Sequence, residues 1–448
     1  MPPERHAKVS FEVASDPLVA SHAVRSAWPR QRSRPLFLTW SEKSHHPSSV
    51  HGVAARLARG DPETQRGRPA VRALPLYSTA IATWFTAVGI QLVLFPWLVA
   101  VVLIGDAFAV GLAQAATLAP GLLLLPLGGL VADRGSPRRL LLACHLLGSV
   151  PPLLLAGLLL SSGDPGYALL MAYGLAVGAI GAFAAPARDA LLPALVGTGA
   201  LPRIVPQVMA LQFLAQLVGI ACAWSADRLG AVPLLVVNAV LLLLGAMAVM
   251  RLPKDPARMP EARADVGRGV LDGITVARRS GIWPVLLLTL GVGLFFIGPF
   301  MAILPLVVRD VFHGGAAELS LVNFAFWAAT IAVSMTLASF ARRVVRRGRL
   351  IVLAVTSGIG VLVALATLPP FPLFVALIFL WGIGAGTIMT QSRTVVQVAS
   401  APSHRARLMA LFQLGLNGGG PIGAIMAGAI GASPWGVPAA LILPAMGM

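Results

Sequence analysis

The chain has 448 residues, a formal net charge of +17, and 57% hydrophobic against 11% charged residues. Its mean hydropathy is +0.82. Soluble domains carry about 25% charged residues and must clothe their exterior in polar groups, so this composition excludes a water-soluble globular protein and calls for a lipid solvent. The positive charge is not the footprint of a nucleic-acid partner, because it is spread through the connections between apolar runs. The 2 cysteines, Cys144 and Cys222, lie inside apolar runs, which excludes a disulfide framework and a cysteine metal site. No metal or cofactor site is expected. Scarce lysine beside abundant Ala, Gly and Pro points to a GC-rich bacterial genome.

Residues 1–73 read as a basic, disordered cytoplasmic tail with no sustained period. No apolar run near the start marks a signal peptide. From Leu74 onward, apolar runs of about 20 residues follow one another, each enough to cross a ~30 Å hydrocarbon core. The predicted spans are 76–104, 108–131, 139–161, 167–187, 206–226, 229–250, 283–308, 319–341, 350–369, 371–392, 407–431 and 434–448. The last is short and holds Pro434, Pro438 and Pro444. Helices are required because backbone polar groups find no water in lipid. The fold class is therefore an all-α polytopic membrane protein. It has an amino-terminal six-helix bundle at 74–250, a basic cytoplasmic linker at 251–282 and a carboxy-terminal bundle at 283–448.

Orientation follows from the basic residues, which gather in cytoplasmic loops. Every Lys and Arg except Arg228 and Arg309 falls in the tail or in alternate loops. That puts the amino terminus inside the cell and makes this a multi-pass protein of the bacterial inner membrane. The halves echo each other. Met209-Ala210-Leu211-Gln212 returns as Met409-Ala410-Leu411-Phe412-Gln413, Arg188 has a counterpart in Arg393, and Arg139-Leu140-Leu141-Leu142 in Arg349-Leu350-Ile351-Val352. Duplicated halves place a binding site at their interface and let one rock against the other.

The connection after the second span reads Gly128-Gly129-Leu130-Val131-Ala132-Asp133-Arg134-Gly135-Ser136-Pro137-Arg138-Arg139. It resembles the signature loop of the major facilitator superfamily, at the position that family uses. Phe95-Pro96-Trp97-Leu98-Val99, Ala185-Pro186-Ala187-Arg188-Asp189-Ala190-Leu191-Leu192-Pro193 and Leu304-Pro305-Leu306-Val307-Val308-Arg309-Asp310 resemble its siderophore-exporter and macrolide-efflux branch. Read physically, Gly129 lets two helices approach closely, and Asp133 can face the positive start of a neighbouring helix or an arginine. The alternative is that Asp133 and the arginines only set topology. The resemblance implies that the neighbour is the eleventh span and that a basic residue of the loop pairs with Asp189. Ser136 and Pro137 depart from the family pattern, so Arg138 or Arg139 would have to serve. Gly129, Asp133, Arg134, Arg138, Arg139, Arg188, Asp189 and Arg393 form the candidate conformational latch.

All 17 acidic residues lie in the tail, in loops or at span ends. Intramembrane carboxylates are the usual proton relays, so coupling to protons would fall to Asp133, Asp189, Asp106 or His145, the last read as a helix-end residue. The mid-span polar groups are amides. Gln91, Gln114, Gln212, Gln216, Asn323, Gln413 and Asn417 are the candidate substrate path, with the pairs Gln212/Gln216 and Gln413/Asn417 each on one helical face. Interhelical hydrogen bonding without substrate contact is the competing reading. An apolar, amide-lined, acid-free path suits a neutral or anionic amphipathic cargo.

The reading is a non-enzymatic, secondary-active exporter of a small drug-like or siderophore-like molecule, working as a monomer by alternating access. Its partners are a small-molecule substrate, the bilayer and, for coupling, protons; nucleic acid is excluded. An importer with the same fold and a non-transporting membrane receptor are the alternatives. An embedded enzyme would need paired acids, a Ser/Lys dyad, metal-ligand histidines or a nucleotide loop, and none is present in the sequence.

Overall fold

The computed structural model describes residues 62–162, 166–253, 274–340, 346–400 and 405–446, and among these there are helices and turns and no strand. The main helices are α1 (Pro62–Trp97), α2 (Ala107–Arg134), α3 (Pro137–Ser162), α4 (Tyr167–Val196), α5 (Leu201–Ala223) and α6 (Ala231–Met250). After the linker, whose residues 254–273 lie outside the described residues, come α7 (Trp283–Val311), α8 (Ala316–Ser339), α9 (Arg347–Ala366), α10 (Phe371–Ala399), α11 (Arg405–Gly431) and α12 (Gly436–Met446). Eleven of them are long and apolar enough to cross a membrane. The short twelfth has 11 residues.

Three boundaries differ from expectation. Helix α1 begins at Pro62, so residues 62–73 are helical rather than tail, and residues 1–61 lie outside the described residues. Helix α4 runs on to Val196, so Arg188 and Asp189 sit on the helix and not in a loop. Helix α10 likewise runs to Ala399 and carries Arg393. In the sequence a charge marks the end of each of these two spans. Shielding of the guanidinium by aromatic rings, described below, lets α4 continue past it.

Packing repeats the same pattern twice. In the first half α1 lies on α5, α2 on α4 and α3 on α6; in the second α7 lies on α11, α8 on α10 and α9 on α12. Small residues set these crossings, as is usual where lipid supplies no hydrophobic drive between helices. A Cβ on Gly219 would come within 2.1 Å of the Thr86 carbonyl and 2.9 Å of Gly89 Cα. In the second half a Cβ on Gly419 would meet Leu294 N at 2.5 Å, and one on Gly293 would meet Gly419 Cα at 3.0 Å.

The ends of α1 and α7 repeat in more detail. Each closes in a π turn, Leu98–Val102 and Val307–Val311. Each then places a non-glycine residue in the left-handed region, Ile104 (φ 51°) and His313 (φ 52°). Matching bonds close the two turns: Leu103 N to Leu98 O with Gly105 N to Val99 O, and Phe312 N to Val307 O with Gly314 N to Val308 O. By this register Ala100 and Arg309 are equivalent residues.

The outer surface of α3 and α6 is apolar. Leu147, Val150, Leu154, Val237, Val240 and Leu244 are all exposed, a surface that matches hydrocarbon and not water.

Candidate functional site: the gap between the two bundles

The halves meet mainly through α2 with α11 and α5 with α8. Named contacts concentrate at one face, the one bearing the arginine-poor loops. There Gly111 and Gly428 lie backbone to backbone; a Cβ on Gly111 would be 2.9 Å from Gly428 Cα, and one on Gly428 2.6 Å from the Ala107 carbonyl. At the same face the Asp227 carboxylate accepts hydrogen bonds from Ala316 N (2.8 Å) and Ala317 N (2.7 Å), capping the start of α8 from the other half. Two free N–H groups and the positive helix end make this a favoured seat for a carboxylate. Arg309 closes the third corner. Its guanidinium pairs with Asp310 beside it and donates to the Ala100 and Gly105 carbonyls across the interface.

Away from that face the helices part. On α2 the α11-facing stripe comprises Ala107, Gly111, Leu118 and Leu122, the last against Gly418. Continued at 3.6 residues per turn, it includes buried Gln114 and reaches Gly129 and position 133. On α11 the stripe comprises Gly428, Ala424 and Gly420. Continued, it reaches Asn417, Gln413 and Ala410, all three exposed. No atom lies within 4 Å of where a Cβ on Gly129 would stand. The close approach expected of Gly129 belongs instead to its neighbour Gly128, whose Cβ would meet the Ala182 carbonyl of α4 at 2.6 Å. Gly129 lies on the parted portion of the α2 stripe, which is why it has no neighbour.

The other latch candidates are dispersed. Arg138 Nη2 donates to the Met250 carbonyl at 2.6 Å, tying α3 to the end of α6 within one half. Arg134 and Arg139 are exposed, and the Asp133 side chain lies outside the described residues. Asp189 makes no ion pair with Arg138 or Arg139 among the described residues; the charges it feels are those of Arg188 and of Arg393 on α10, across the gap.

The amides divide into four groups. Gln413 and Asn417 stand on the parted face of α11. Gln216 is buried, and its carbonyl abuts Gly89 at the α5–α1 crossing, with Gln212 one turn away and partly exposed. Asn323 is buried and donates to the Leu319 carbonyl of its own helix at 2.9 Å. Gln91 lines a cavity inside the first half with Trp84, Val88, Val177, Ile180, Leu242 and Asn238. Asn238 donates to the Ala87 carbonyl at 2.8 Å, whereas Gln91 Nε2 is buried without a partner.

His145 is a core residue rather than a helix-end one. It is fully buried, with Nδ1 2.9 Å from the Leu141 carbonyl, Nε2 3.3 Å from the Ala80 carbonyl and its ring edge-on to Trp84. A neutral ring donating from Nδ1 explains why the second contact is the longer. Asp106 caps α2 by accepting from Ala109 N at 2.7 Å. Near Trp84 lies a residue whose role sequence reasoning did not assign to binding. The Arg188 guanidinium carbon stands 5.2 Å from the Trp84 ring centre and 5.0 Å from that of Phe85. Tyr77 anchors the same turn by donating its hydroxyl to the Arg188 carbonyl at 3.1 Å.

Two matching helical bundles that touch at one face and part at the other define a multi-pass transporter of the major facilitator type. The chain belongs to the transmembrane secretion effector family of that superfamily, whose family model matches residues 76–448. No curated protein matches the chain in sequence. Among solved structures it is similar to the nucleoside transporter NupG, at 14% identity and a TM-score of 0.68 over 84% of this chain and 95% of that one. It is similar too to a D-xylose–proton symporter (13%, 0.67, 84% and 96%). A bacterial homologue of the iron transporter ferroportin in its inward-facing state shares the fold as well (14%, 0.62, 84% and 98%). At these identities the likeness concerns the fold.

Proposed function

We propose that this protein is a secondary-active exporter that moves a small amphipathic molecule out of a bacterial cell across the inner membrane, as a monomer working by alternating access. The observation that carries the reading is the pair of stripes on α2 and α11. They are in contact at the arginine-poor face and continue unpartnered toward the arginine-rich one. With the arginine-rich loops in the cytoplasm, as the positive-inside rule requires, this is a state closed to the outside. Rocking about the gap would bring the free ends together. The antiparallel register of Gly111 with Gly428 then puts Gly129 level with Ala410, and Asp133 level with the first turn of α11. A carboxylate at a helix start is stabilising, so Asp133 would latch that second state, with Asp189 and Arg393 facing each other beside it. On this reading Gln413 and Asn417 would border the gap in the present state, while buried Gln114 lies in the packed part of the α2 stripe. Protons are the proposed coupling ion.

The family description, secretion, favours export. The solved relatives include a proton symporter, so uptake of a small solute through the same gap is the second reading. Comparing metabolites retained by cells with and without the gene separates the two. Accumulation of a small amphipathic compound in the deletion strain is expected. Depletion of a solute in that strain would make the protein an importer.

A further inference from the structure

We propose that Arg188, in its setting of Trp84 and Phe85, is a binding site for the acid group of an amphipathic organic anion. Transport is presupposed only in calling that ligand the cargo. The argument begins with hydrogen bonds. A guanidinium has five N–H donors and no acceptor, and a buried donor left unmade is costly. Arg188 Nη1 is buried without a hydrogen-bond partner. Asp189, the next residue, makes no ion pair with it; Arg309 with Asp310 shows that such neighbours can pair within one turn. Among the described residues the Arg188 Nη1 donor has no acceptor.

The surroundings hold the arginine without satisfying it. Trp84 and Phe85 offer ring faces, which attract a cation but take no N–H bond along its edge. Tyr77, the polar side chain closest in role, spends its hydroxyl on the Arg188 backbone carbonyl. The guanidinium is thus oriented with one buried donor unmet, and its planar, bidentate geometry matches an acid group.

Trp84 links this site to the cavity inside the first half. Its walls, Val88, Val177, Ile180 and Leu242, are apolar, and Gln91 stands at the far end beside the Tyr173 hydroxyl. From Trp84 to Gln91 is two turns of α1, roughly 10 Å at 1.5 Å per residue. The cavity itself has a volume of about 40 Å³, so the ligand class is an acid group whose apolar body enters by parting these walls.

The test uses the purified full chain in phosphatidylcholine nanodiscs, with 4-butylbenzoate as probe and 4-butylbenzamide as its neutral match. The wild type should bind the acid at least about tenfold more tightly than the amide, the scale of one charge-assisted bidentate contact. Arg188→Gln should lose that preference while melting at the same or a higher temperature without ligand, because an unsatisfied buried cation has been removed. A structural arginine would give the opposite melting shift. Arg188→Lys, which keeps the charge without the fork, should retain a reduced preference and serves if the glutamine variant does not fold. Equal wild-type affinity for acid and amide overturns the proposal, with no variant needed. So does Arg188-dependent binding of phosphatidylglycerol in place of the acid, which would make this a lipid headgroup site. Flux in proteoliposomes separates the two readings. Arg188-dependent binding without movement of any amphipath sinks transport and leaves the site. Movement of acid and amide alike with no binding preference sinks the site and leaves transport.

Discussion

Arg309 donates to the carbonyl of Ala100, the residue that holds its own place in the other half of the molecule. The two π turns that carry them are equivalent, so this contact lies close to the pseudo-two-fold relation of the bundles. A second bond to the Gly105 carbonyl, at 2.7 Å, widens the grip. Hydrogen bonds from a charged donor contribute about 1.5–3 kcal/mol each. A device of that size can bias two states that differ by a few kcal/mol.

Removal of the grip should therefore favour the opposite state. Arg309→Ala is expected to raise the population open at the arginine-poor face by roughly tenfold or more, since 1.4 kcal/mol is one decade. The readout is cross-linking of a Gly129→Cys, Ala410→Cys pair in a background without Cys144 and Cys222. Unchanged cross-linking yield would show that the arginine does not control the equilibrium.

Asp227→Asn should act in the same direction but less strongly. It keeps one acceptor oxygen for the start of α8 and loses the charge, a change of about 1 kcal/mol for a helix cap. Combined with Arg309→Ala, the two changes are expected to add, because they grip different helices.

Gly428→Val tests the closure by bulk. Its Cβ would stand 2.6 Å from the Ala107 carbonyl, and backbone cannot step aside as a side chain can. The expected result is a protein that inserts and folds but resists closing at this face, with transport reduced and the Gly129/Ala410 pair cross-linking more readily.

Asp133→Asn bears on the other state. It should insert normally and transport poorly. Wild-type rates would remove the latch from the mechanism. Replacing Gln413 and Gln212 separately with Ala should alter substrate preference far more at Gln413, which stands on the parted face, than at Gln212, which shares a face with the packed Gly219.

Gly245→Ala is a test of stability rather than transport. Its Cβ would fall 2.4 Å from the His145 ring and 2.6 Å from Thr83 Oγ1. Overpacking of this kind costs about 1–3 kcal/mol, and a lowered melting temperature measures it.

Much of this was legible in the sequence because lipid imposes few solutions. Span number and the duplicated plan follow from run length and the alternation of arginines, and the echo of Met209–Gln212 in Met409–Gln413 marks equivalent helices. The ends of α4 and α10 were misjudged because Arg188, Asp189 and Arg393 resemble loop residues until their neighbours are known. Trp84 and Phe85, which shield Arg188, lie about a hundred residues earlier in the chain. The closure at the arginine-poor face also has a sign in the sequence. Arg228 and Arg309 were the two exceptions to the topology rule, and one of them holds the halves together. The repeat of Pro96 in Pro305, each two residues ahead of its π turn, was another unread signal.

The acceptors that Arg309 uses are main-chain oxygens, present whatever side chains the 98–106 segment carries. Drift in that segment leaves the anchorage intact as long as its backbone path is kept. The contact is vulnerable to substitution at the arginine end alone, so side chains on that segment can change freely while the closing force stays the same.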